Sequence, residues 1–227
     1  FKDYQDRGRD KEKIDNSEYL LRPELNFDKI KWIEFFQDKT ILISGGAGTI
    51  GSGVANFLSN SKVKKIIIAD HSEYRLWKVK EDLRGKKNFH KYEFKLIDFT
   101  NKSLIEKSLN NIKINCVIHA SAYKHVNIVE KNIWASLYNN LFTTKNLIDY
   151  VKEKNIGNFL LISSDKAVDP ENIMGLSKRV CELQVLVEDE KNLYEKNKTI
   201  FNIVRFGNVF RSSGSLVEVI DEKIKKK

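Results

Sequence analysis

Ser44-Gly45-Gly46-Ala47-Gly48-Thr49-Ile50-Gly51 is the stretch of this 227-residue chain that decides the fold. It follows a short apolar run and precedes a segment with helical spacing, which predicts a turn from a buried strand into a helix. The glycines allow a tight turn and a close approach of the backbone to a pyrophosphate, and the amides at the helix start hold the anion. The stretch therefore predicts a dinucleotide site that uses Gly45, Gly48, Thr49, Ile50 and Gly51.

Short apolar runs alternate with helical segments on either side of this turn. The six candidate strands are Thr40 to Ser44, Lys64 to Ala69, Tyr92 to Ile97, Ile114 to Ala120, Asn158 to Ser163 and Thr199 to Arg205. The main helical segments between them are Ile50 to Asn60, Glu73 to Leu83, Trp134 to Lys152 and Glu171 to Val187. This alternation predicts an α/β fold with a doubly wound parallel sheet and right-handed crossovers.

Length and composition favour one main domain. A chain of 227 residues with 41% hydrophobic content can bury one core of good size. Residues 1–25 are charged and poor in apolar positions, which is typical of an arm or linker. Phe27 to Phe36 has the spacing of a short docking helix. We therefore expect residues 26–227 to form a Rossmann domain that carries both the cofactor site and the catalytic residues.

Charge and cysteine content restrict the class of protein further. The net charge is +9, but the lysines are interspersed with Glu and Asp, which favours a solvated basic surface over a nucleic-acid partner. Cys116 and Cys181 have neither disulfide-framework nor zinc-like spacing, so we expect no metal and a reducing, cytoplasmic compartment. No apolar run reaches the roughly 18 residues that span a bilayer. A tether to the cytoplasmic face of an inner membrane would lie in segments outside this chain.

Two acidic residues follow the second and third predicted strands. Asp70 lies where a carboxylate accepts hydrogen bonds from the adenosine ribose, which favours NAD over NADP because a carboxylate repels a 2′-phosphate. The alternative for Asp70 is a helix N-cap, a role that Ser72 fills equally well. Asp98 is expected near the adenine, and its alternative is a capping or turn residue.

Later motifs resemble one family of the extended short-chain dehydrogenases/reductases. The chain is similar to the UDP-N-acetylglucosamine 4,6-dehydratases of bacterial polysaccharide and protein glycosylation, in a branch with Met-x-x-x-Lys. The resemblance spans about Leu21 to Leu216. It rests on segments in the same order as in the family: His119 to Val126, Ser163 to Pro170, Met174 to Arg179 and Val204 to Val209.

The resemblance implies a reaction centre at Ser164, Asp165 and Lys166. In the implied cycle, bound NAD⁺ takes the C4 hydride of the sugar, the C5 proton and C6 hydroxyl then leave, and the hydride returns to C6. Asp165 with a raised pKa would serve as the acid, and Lys166 would need to be neutral to accept the C5 proton. Ser164 would hydrogen-bond the C4 oxygen. Without the resemblance, the same three residues would be interpreted as a polar turn.

Met174 and Lys178 lie four residues apart and so share one helix face. Met174 occupies the tyrosine position of the YxxxK signature and cannot accept a proton. Deprotonation of the C4 hydroxyl therefore falls to Ser164, Asp165 or a water. The resemblance implies that Lys178 binds the nicotinamide ribose; its alternative is an ordinary exposed lysine. Asp169 and Pro170 predict the N-cap and first position of this helix.

Other candidates lie at the ends of the fourth and sixth strands. The resemblance implies that Ala120 contacts the cofactor and that Lys124, His125 and Asn208 contact the UDP-sugar. Lys124 would stabilise negative charge, and a lone His125 is more often structural. The helix residue Asn139 resembles the asparagine that supports the active-site lysine.

The segment Gly214 to Lys227 predicts one further helix, so the C-terminal substrate lobe of the extended enzymes is largely absent from this sequence. Two alternatives to the dehydratase remain: a nucleotide-sugar 4-epimerase and a non-catalytic NAD-binding module. The segments Trp134 to Lys152 and Glu171 to Val187 are common dimer surfaces in such folds, so a homo-oligomer is expected by analogy.

Overall fold

The computed structural model describes residues 29–192, 194 and 199–209. The predicted arm at residues 1–25 and the predicted helix at residues 214–227 lie outside the described residues. The first helix, α1 (Lys29–Phe35), confirms most of the docking helix predicted from Phe27 to Phe36. Its Trp32 ring packs edge-on against Phe57 of the main domain, with 4.8 Å between the ring centroids.

Six parallel strands form one sheet in the order β3-β2-β1-β4-β5-β6. This is the strand order of the Rossmann dinucleotide fold, so the predicted fold class is confirmed. The strands are β1 (Thr40–Ser44), β2 (Lys65–Asp70), β3 (Tyr92–Leu96), β4 (Cys116–His119), β5 (Asn158–Ser164) and β6 (Ile200–Phe206). The helices that follow α1 are α2 (Thr49–Ser59), α3 (Glu73–Leu83), α4 (Lys102–Ser108), α5 (Val126–Val129), α6 (Ile133–Glu153) and α7 (Ile173–Asn192).

Alternate residues of the central strands pack on opposite faces of the sheet, since side chains of a strand alternate in direction. Leu42 of β1 packs in one cluster with Phe159 and with Leu147 of α6. Ile41 and Ile43 pack on the other face, with α2 and α3. Because both faces are covered by helices, the strands are continuous apolar runs, and this is why they are recognisable in the sequence.

The helix α7 does not start where the sequence analysis placed it. Asp169 and Pro170 are not its N-cap and first residue, because the helix begins at Ile173. The side chain of Asn172 accepts a hydrogen bond from the Gly175 amide at 2.8 Å and so caps the helix. Pro170 instead follows a single 3₁₀ turn, Asp165–Ala167, which leads the chain away from β5.

All six strands are parallel, so their carboxyl ends meet at one edge of the sheet. In β1 and β2, Ser44 pairs with Ala69, which places Asp70 beside the glycine turn. In β1 and β4, Ser44 pairs with His119. Ser164 at the end of β5 pairs with Phe206 of β6. The predicted site residues therefore follow neighbouring strands along this carboxyl edge.

Candidate functional site

The glycine turn packs against the loop that follows β4. Gly45 has a φ of +66°, which favours glycine, and a Cβ atom there would lie 2.5 Å from the backbone nitrogen of Ser121. A Cβ at Gly51 would collide with the carbonyl oxygen of Gly45. Gly48 is the N-cap of α2 and offers no side chain to cap it. The start of α2 therefore has no side-chain cap, and a helix start of this kind is suited to an anion.

Asp70 is buried, with 2% of its surface exposed. Its Oδ1 accepts hydrogen bonds from the Ser72 amide at 3.0 Å and from Arg75 Nη2 at 3.2 Å. The N-cap of α3 is Ser72, whose hydroxyl accepts from the Arg75 amide. The capping alternative for Asp70 is therefore wrong.

Asp70 opens onto a crevice at the carboxyl edge. The crevice is lined by Gly45, Asp70, His71, Asp98, Phe99, Ser121, Asn139 and Thr143. Asp98 also closes a turn, because its Oδ1 accepts from the amide and the hydroxyl of Thr100 at 2.9 and 2.7 Å. Asp98 is thus a turn residue that lines the same crevice as Asp70 and Gly45.

A buried histidine that the sequence analysis did not single out lies beneath the glycine turn. His119 is fully buried, and its Nδ1 and Nε2 lie 2.7 Å from Ser44 Oγ and 2.9 Å from Thr144 Oγ1. Because Thr144 donates to the carbonyl of Asn140, its oxygen accepts from Nε2–H, and Nδ1 accepts from Ser44. Burial, reinforced by the charge of Lys178, lowers the pKa of His119 well below its usual value. His119 is therefore a neutral link between β1 and α6.

Asn140, rather than Asn139, is the buried asparagine of α6. Its Oδ1 accepts from the Tyr123 amide at 2.8 Å, and its Nδ2 donates to the Tyr123 carbonyl and to Ser177 Oγ at 3.1 and 2.9 Å. Asn139 lines the crevice and donates to Asn140 Oδ1. The predicted support of the active-site lysine by Asn139 stays a prediction, because the side-chain hydrogen bonds of Asn139 and Asn140 join them to each other, to Tyr123 and to Ser177.

Ser164, Asp165 and Lys166 form one hydrogen-bonded cluster at the end of β5. Asp165 Oδ1 accepts from Ser164 Oγ at 3.0 Å and from Lys166 Nζ at 3.1 Å. Asn208 Oδ1, which follows β6, lies 3.4 Å from the same ammonium group. The hydrogen bonds from Lys166 and Ser164 lower the pKa of Asp165, and its side chain is half exposed. The expectation of a raised pKa for Asp165 is therefore wrong: the donors around the carboxylate stabilise its charged form.

The start of α7 packs directly on this cluster. Met174 is 5% exposed, and Lys178 is 6% exposed on the same helix. Burial lowers the pKa of Lys178, and within the described part of the chain no carboxylate lies at ion-pair distance from it. The alternative of an ordinary surface lysine is therefore wrong. A buried ammonium group without an anionic partner is costly unless a ligand supplies hydrogen-bond acceptors.

The loop after β4 carries Ala120, Lys124 and His125 to the same edge. Ala120 is half-buried and its amide donates to the carbonyl of Ser44, whereas Lys124 and His125 are exposed. His125 is the N-cap residue of α5, and its C-cap residue, Glu130, accepts from the amide of Ile173 at 2.7 Å. The loop and the first turn of α7 are thus joined. Lys124 and His125 thus lie exposed in a loop that is tied to the start of α7, and their contact with a substrate stays a prediction.

A buried carboxylate, Glu182, connects α7 to the two strands beside the cluster. It accepts hydrogen bonds from Ser163 Oγ at 2.7 Å and from Arg205 Nε and Nη2 at 2.8 and 2.7 Å. Arg179 adds a third cationic contact at 3.1 Å. These donors outweigh burial and lower the pKa of Glu182 to about 2. The sequence showed no signal for this role, because a glutamate within a charged helix is usually exposed.

These features fit a dinucleotide. The glycine turn leads into a helix without a side-chain cap, as a pyrophosphate site requires, Asp70 lines the crevice beside it, and within the described residues the buried Lys178 has no carboxylate at ion-pair distance. The residues of the Ser164 cluster supply a hydroxyl and an ammonium group that each lie within hydrogen-bond distance of the same carboxylate oxygen. Such a set can move protons to and from a bound substrate.

The outer face of α6 is apolar and exposed. Trp134, Tyr138 and Phe142 recur every four residues and are 85%, 53% and 47% exposed. The neighbouring helix α7 adds exposed apolar side chains at Leu183, Leu186 and Val187. In the described part of the chain, no helix is both long enough and apolar enough to cross a membrane.

The strand order, the glycine turn and the edge residues define a Rossmann-like fold of the short-chain dehydrogenase/reductase class. The chain belongs to the polysaccharide biosynthesis protein family, whose model matches residues 41–227. It is 35% identical over 214 residues to the capsular polysaccharide biosynthesis protein CapD of Staphylococcus aureus, covering 93% of this chain and 35% of that protein. It is 33% identical to a UDP-glucose 4-epimerase of Rickettsia bellii, covering 84% of this chain and 54% of that protein.

Two solved structures extend the comparison. Pen from Bacillus thuringiensis superposes with a TM-score of 0.78 at 30% identity and covers 85% of this chain and 57% of that one. A Bifidobacterium longum UDP-glucose 4-epimerase in complex with NAD⁺ and UDP has a TM-score of 0.61 at 23% identity, covering 73% and 52%. The latter shows the shared fold alone. This chain spans between about a third and somewhat more than half the length of these relatives.

Proposed function

We propose that this protein acts as a nucleotide-sugar 4,6-dehydratase, which converts UDP-N-acetylglucosamine to a 4-keto-6-deoxy sugar with bound NAD. The observation that carries the proposal is the hydrogen-bonded cluster of Ser164, Asp165 and Lys166 beside the buried Lys178. The cluster offers a carboxylate that can take up a proton and an ammonium group that can release one, and elimination of water across two carbons needs one acid and one base.

The dinucleotide would lie along the crevice from Asp70 to the glycine turn and on to Lys178. When bound, NAD⁺ accepts hydride from C4 of the sugar and returns it to C6. Lys178 would hydrogen-bond the nicotinamide ribose, and Ala120 would contact the cofactor from the loop after β4. Support for NAD comes from the carboxylate at Asp70 and from the NAD⁺ complex of the Bifidobacterium longum neighbour.

Ser164 and Asp165 handle the first proton. Ser164 Oγ already donates to Asp165 Oδ1, so its lone pairs can accept the C4 hydroxyl proton while its own proton passes to the carboxylate. The lowered pKa of Asp165 keeps it ionised before this transfer. Asp165 then becomes the acid of the next step because it has received a proton from the substrate, and a raised pKa in the free protein is not required.

In the elimination, Lys166 acts on the C5 proton and Asp165 acts on the C6 hydroxyl. Lys166, once its ammonium group has lost a proton to solvent, takes the C5 proton as the neutral amine, the C6–O bond breaks, and Asp165 protonates the departing hydroxyl to give water. Lys166 then returns its proton to C5 as the hydride is returned to C6. Asp165 is again ionised and Lys166 is again the amine that entered the elimination, so the proton count closes. Asn208 would hold Lys166 or the sugar, and Lys124 and His125 would contact the UDP-sugar.

A nucleotide-sugar 4-epimerase is the second candidate, favoured by the name of the Rickettsia bellii relative. Epimerisation needs proton transfer at the C4 oxygen only, so it would leave Lys166 without a proton to transfer. The paired Asp165 and Lys166 therefore favour dehydration.

The test is incubation of the protein with UDP-N-acetylglucosamine and NAD⁺ in deuterated water, followed by proton NMR. We expect a new C6 methyl signal and deuterium at C5. K166M and D165N should abolish the methyl signal, and the exposed Lys154→Met serves as a matched control that keeps it. A product that keeps its C6 hydroxyl but has the inverted configuration at C4 would mean that the protein is the epimerase and not the dehydratase. A sugar left unchanged by a NAD-loaded protein would contradict both.

A further inference from the structure

We propose that Arg75 sets the dinucleotide preference of this protein and allows the cofactor site to bind NADP as well as NAD. The inference rests on the proposed function, because it concerns the same cofactor site. It starts from the ion pair between Arg75 Nη2 and Asp70 Oδ1, 3.2 Å apart. A carboxylate at the end of β2 excludes a 2′-phosphate by its negative charge, and here that charge has a cationic partner already in place.

The two oxygens of Asp70 have different surroundings. Oδ1 accepts both of the hydrogen bonds that the carboxylate receives, from Ser72 and from Arg75. Within the described residues, no group donates to Oδ2. Because Asp70 also lines the crevice, Oδ2 can accept a ribose hydroxyl while Oδ1 stays bound to Arg75. Binding of NAD therefore does not require the ion pair to break.

The hydrogen bond to Asp70 uses only part of the donor capacity of Arg75. A guanidinium group carries five N–H donors, and Arg75 donates one hydrogen bond to a side chain among the described residues. Its side chain is 48% exposed, so it can turn toward a ligand at the mouth of the crevice. The planar fork of arginine matches a phosphate group in a bidentate arrangement. The residue that neutralises Asp70 can therefore bind a 2′-phosphate directly.

The position of Arg75 is fixed by the start of α3. Ser72 caps the helix by accepting from the Arg75 amide at 3.4 Å, and the Leu76 amide donates to the Ser72 carbonyl at 3.0 Å. Arg75 thus lies in the first turn of α3, beside Asp70, and a helix N-terminus favours an added anion. His71, whose Nδ1 lies 3.9 Å from Asp70 Oδ1, lines the crevice with Asp70.

The experiment measures the dissociation constants of NAD⁺ and NADP⁺ by calorimetry for the wild type, R75Q and R84Q. Arg84 is an exposed arginine at the opposite end of α3, paired with Glu81, and serves as the matched control. We expect R75Q to weaken NADP⁺ binding by about tenfold or more, the usual scale for a lost charge-assisted hydrogen bond, and NAD⁺ binding by less than about threefold. R84Q should leave both constants near those of the wild type.

Each outcome decides one question. If the ratio of the two dissociation constants stays within about threefold of the wild type in R75Q, the role of Arg75 is overturned while NAD binding stands. If the wild type binds neither dinucleotide, the proposed function falls and this inference with it. R75K is a second variant at the same position. Lysine keeps the positive charge but lacks the planar guanidinium group, so the NADP⁺ affinity of R75K should lie between those of the wild type and R75Q.

Discussion

Gly175 lies so close to the carbonyl oxygen of Lys166 that a Cβ atom at position 175 would not fit. The obstacle is backbone, which cannot rotate away as a flexible side chain can. The first turn of α7 therefore rests directly on the turn that carries Asp165 and Lys166. Any side chain at position 175 would push this turn away from Met174 and Lys178.

We predict that Gly175→Ala lowers dehydratase activity by at least about tenfold, because displacing a reacting group by about 1 Å has an effect of this size or larger. Overpacking should also reduce the free energy of unfolding by about 1–3 kcal/mol. Turnover by NMR and urea unfolding measure the two effects.

Gly53 provides the matched control. It lies within α2, and a Cβ atom there would meet nothing within 4 Å. Gly53→Ala should raise the free energy of unfolding by about 0.4–1 kcal/mol and leave turnover unchanged. If Gly175→Ala behaves as Gly53→Ala does, α7 is not held against the catalytic turn as described.

Lys178→Met should change stability and cofactor binding in opposite directions. The ammonium group is buried without an ion-pair partner among the described residues, so an apolar side chain of similar length should raise the free energy of unfolding by about 1–3 kcal/mol. The same change removes the donor to the nicotinamide ribose and should weaken NAD⁺ binding by about tenfold.

The exposed Lys154→Met is the control for Lys178→Met, and it should change neither quantity. Calorimetry with NAD⁺ and urea unfolding of the free protein provide the measurements. Unaltered NAD⁺ affinity in Lys178→Met would remove this lysine from the cofactor site and leave it a structural role.

Glu182 should make stability depend on pH in the acid range. Its pKa is about 2 in the folded protein against an ordinary value of 4.5, so between these values the unfolded chain binds more protons than the folded one. The stabilisation is therefore complete above about pH 4.5 and is lost as the pH falls toward 2. At about 1.4 kcal/mol per pKa unit it amounts to roughly 3 kcal/mol at pH 7.

Urea unfolding of the wild type and Glu182→Gln at several pH values tests this. The difference in the free energy of unfolding should be near 3 kcal/mol at neutral pH and shrink steadily below about pH 4.5. The exposed Glu190→Gln should track the wild type throughout. A difference that does not vary with pH would mean that shape, rather than charge, accounts for the effect of Glu182.

The sequence predicted the fold well because the strands are buried on both faces. Continuous apolar runs bounded by glycine and polar turns locate such strands, and all six end within two residues of their predicted limits. The helix α4 (Lys102–Ser108) went unpredicted, since seven residues with one buried apolar side chain, Ile105, carry too little periodicity. The start of α7 was misplaced because Asp-Pro resembles a helix start, whereas Asn172 performs the capping.

The candidate site was predicted as a set of residues, but their interactions were not. The resemblance to the dehydratase family identified Ser164, Asp165 and Lys166, because their motif is contiguous in the sequence. The state of Asp165 depends on donors that only the folded geometry supplies, and Glu182 meets Arg205 across 23 positions of sequence. His119 and Asn140 were missed as individual residues for the same reason: their roles are set by partners on other strands and helices.

The apolar face of α6 is expected to join two copies of the chain. Trp134, Tyr138 and Phe142 lie one turn apart along the helix, and aromatic side chains of this exposure are typical of interface cores. A two-fold axis would place the same face of α6 and α7 from each copy in contact, which is how isologous dimers form.

Light scattering after gel filtration should give the mass of a dimer for the wild type. Trp134→Glu should shift it toward the monomer, since a central aromatic residue carries much of the binding energy of an interface. Trp77→Glu, on the exposed surface of α3, is the matched control and should remain dimeric. A wild type that is monomeric at every concentration, or a dimer that Trp134→Glu leaves intact, would rule out this face.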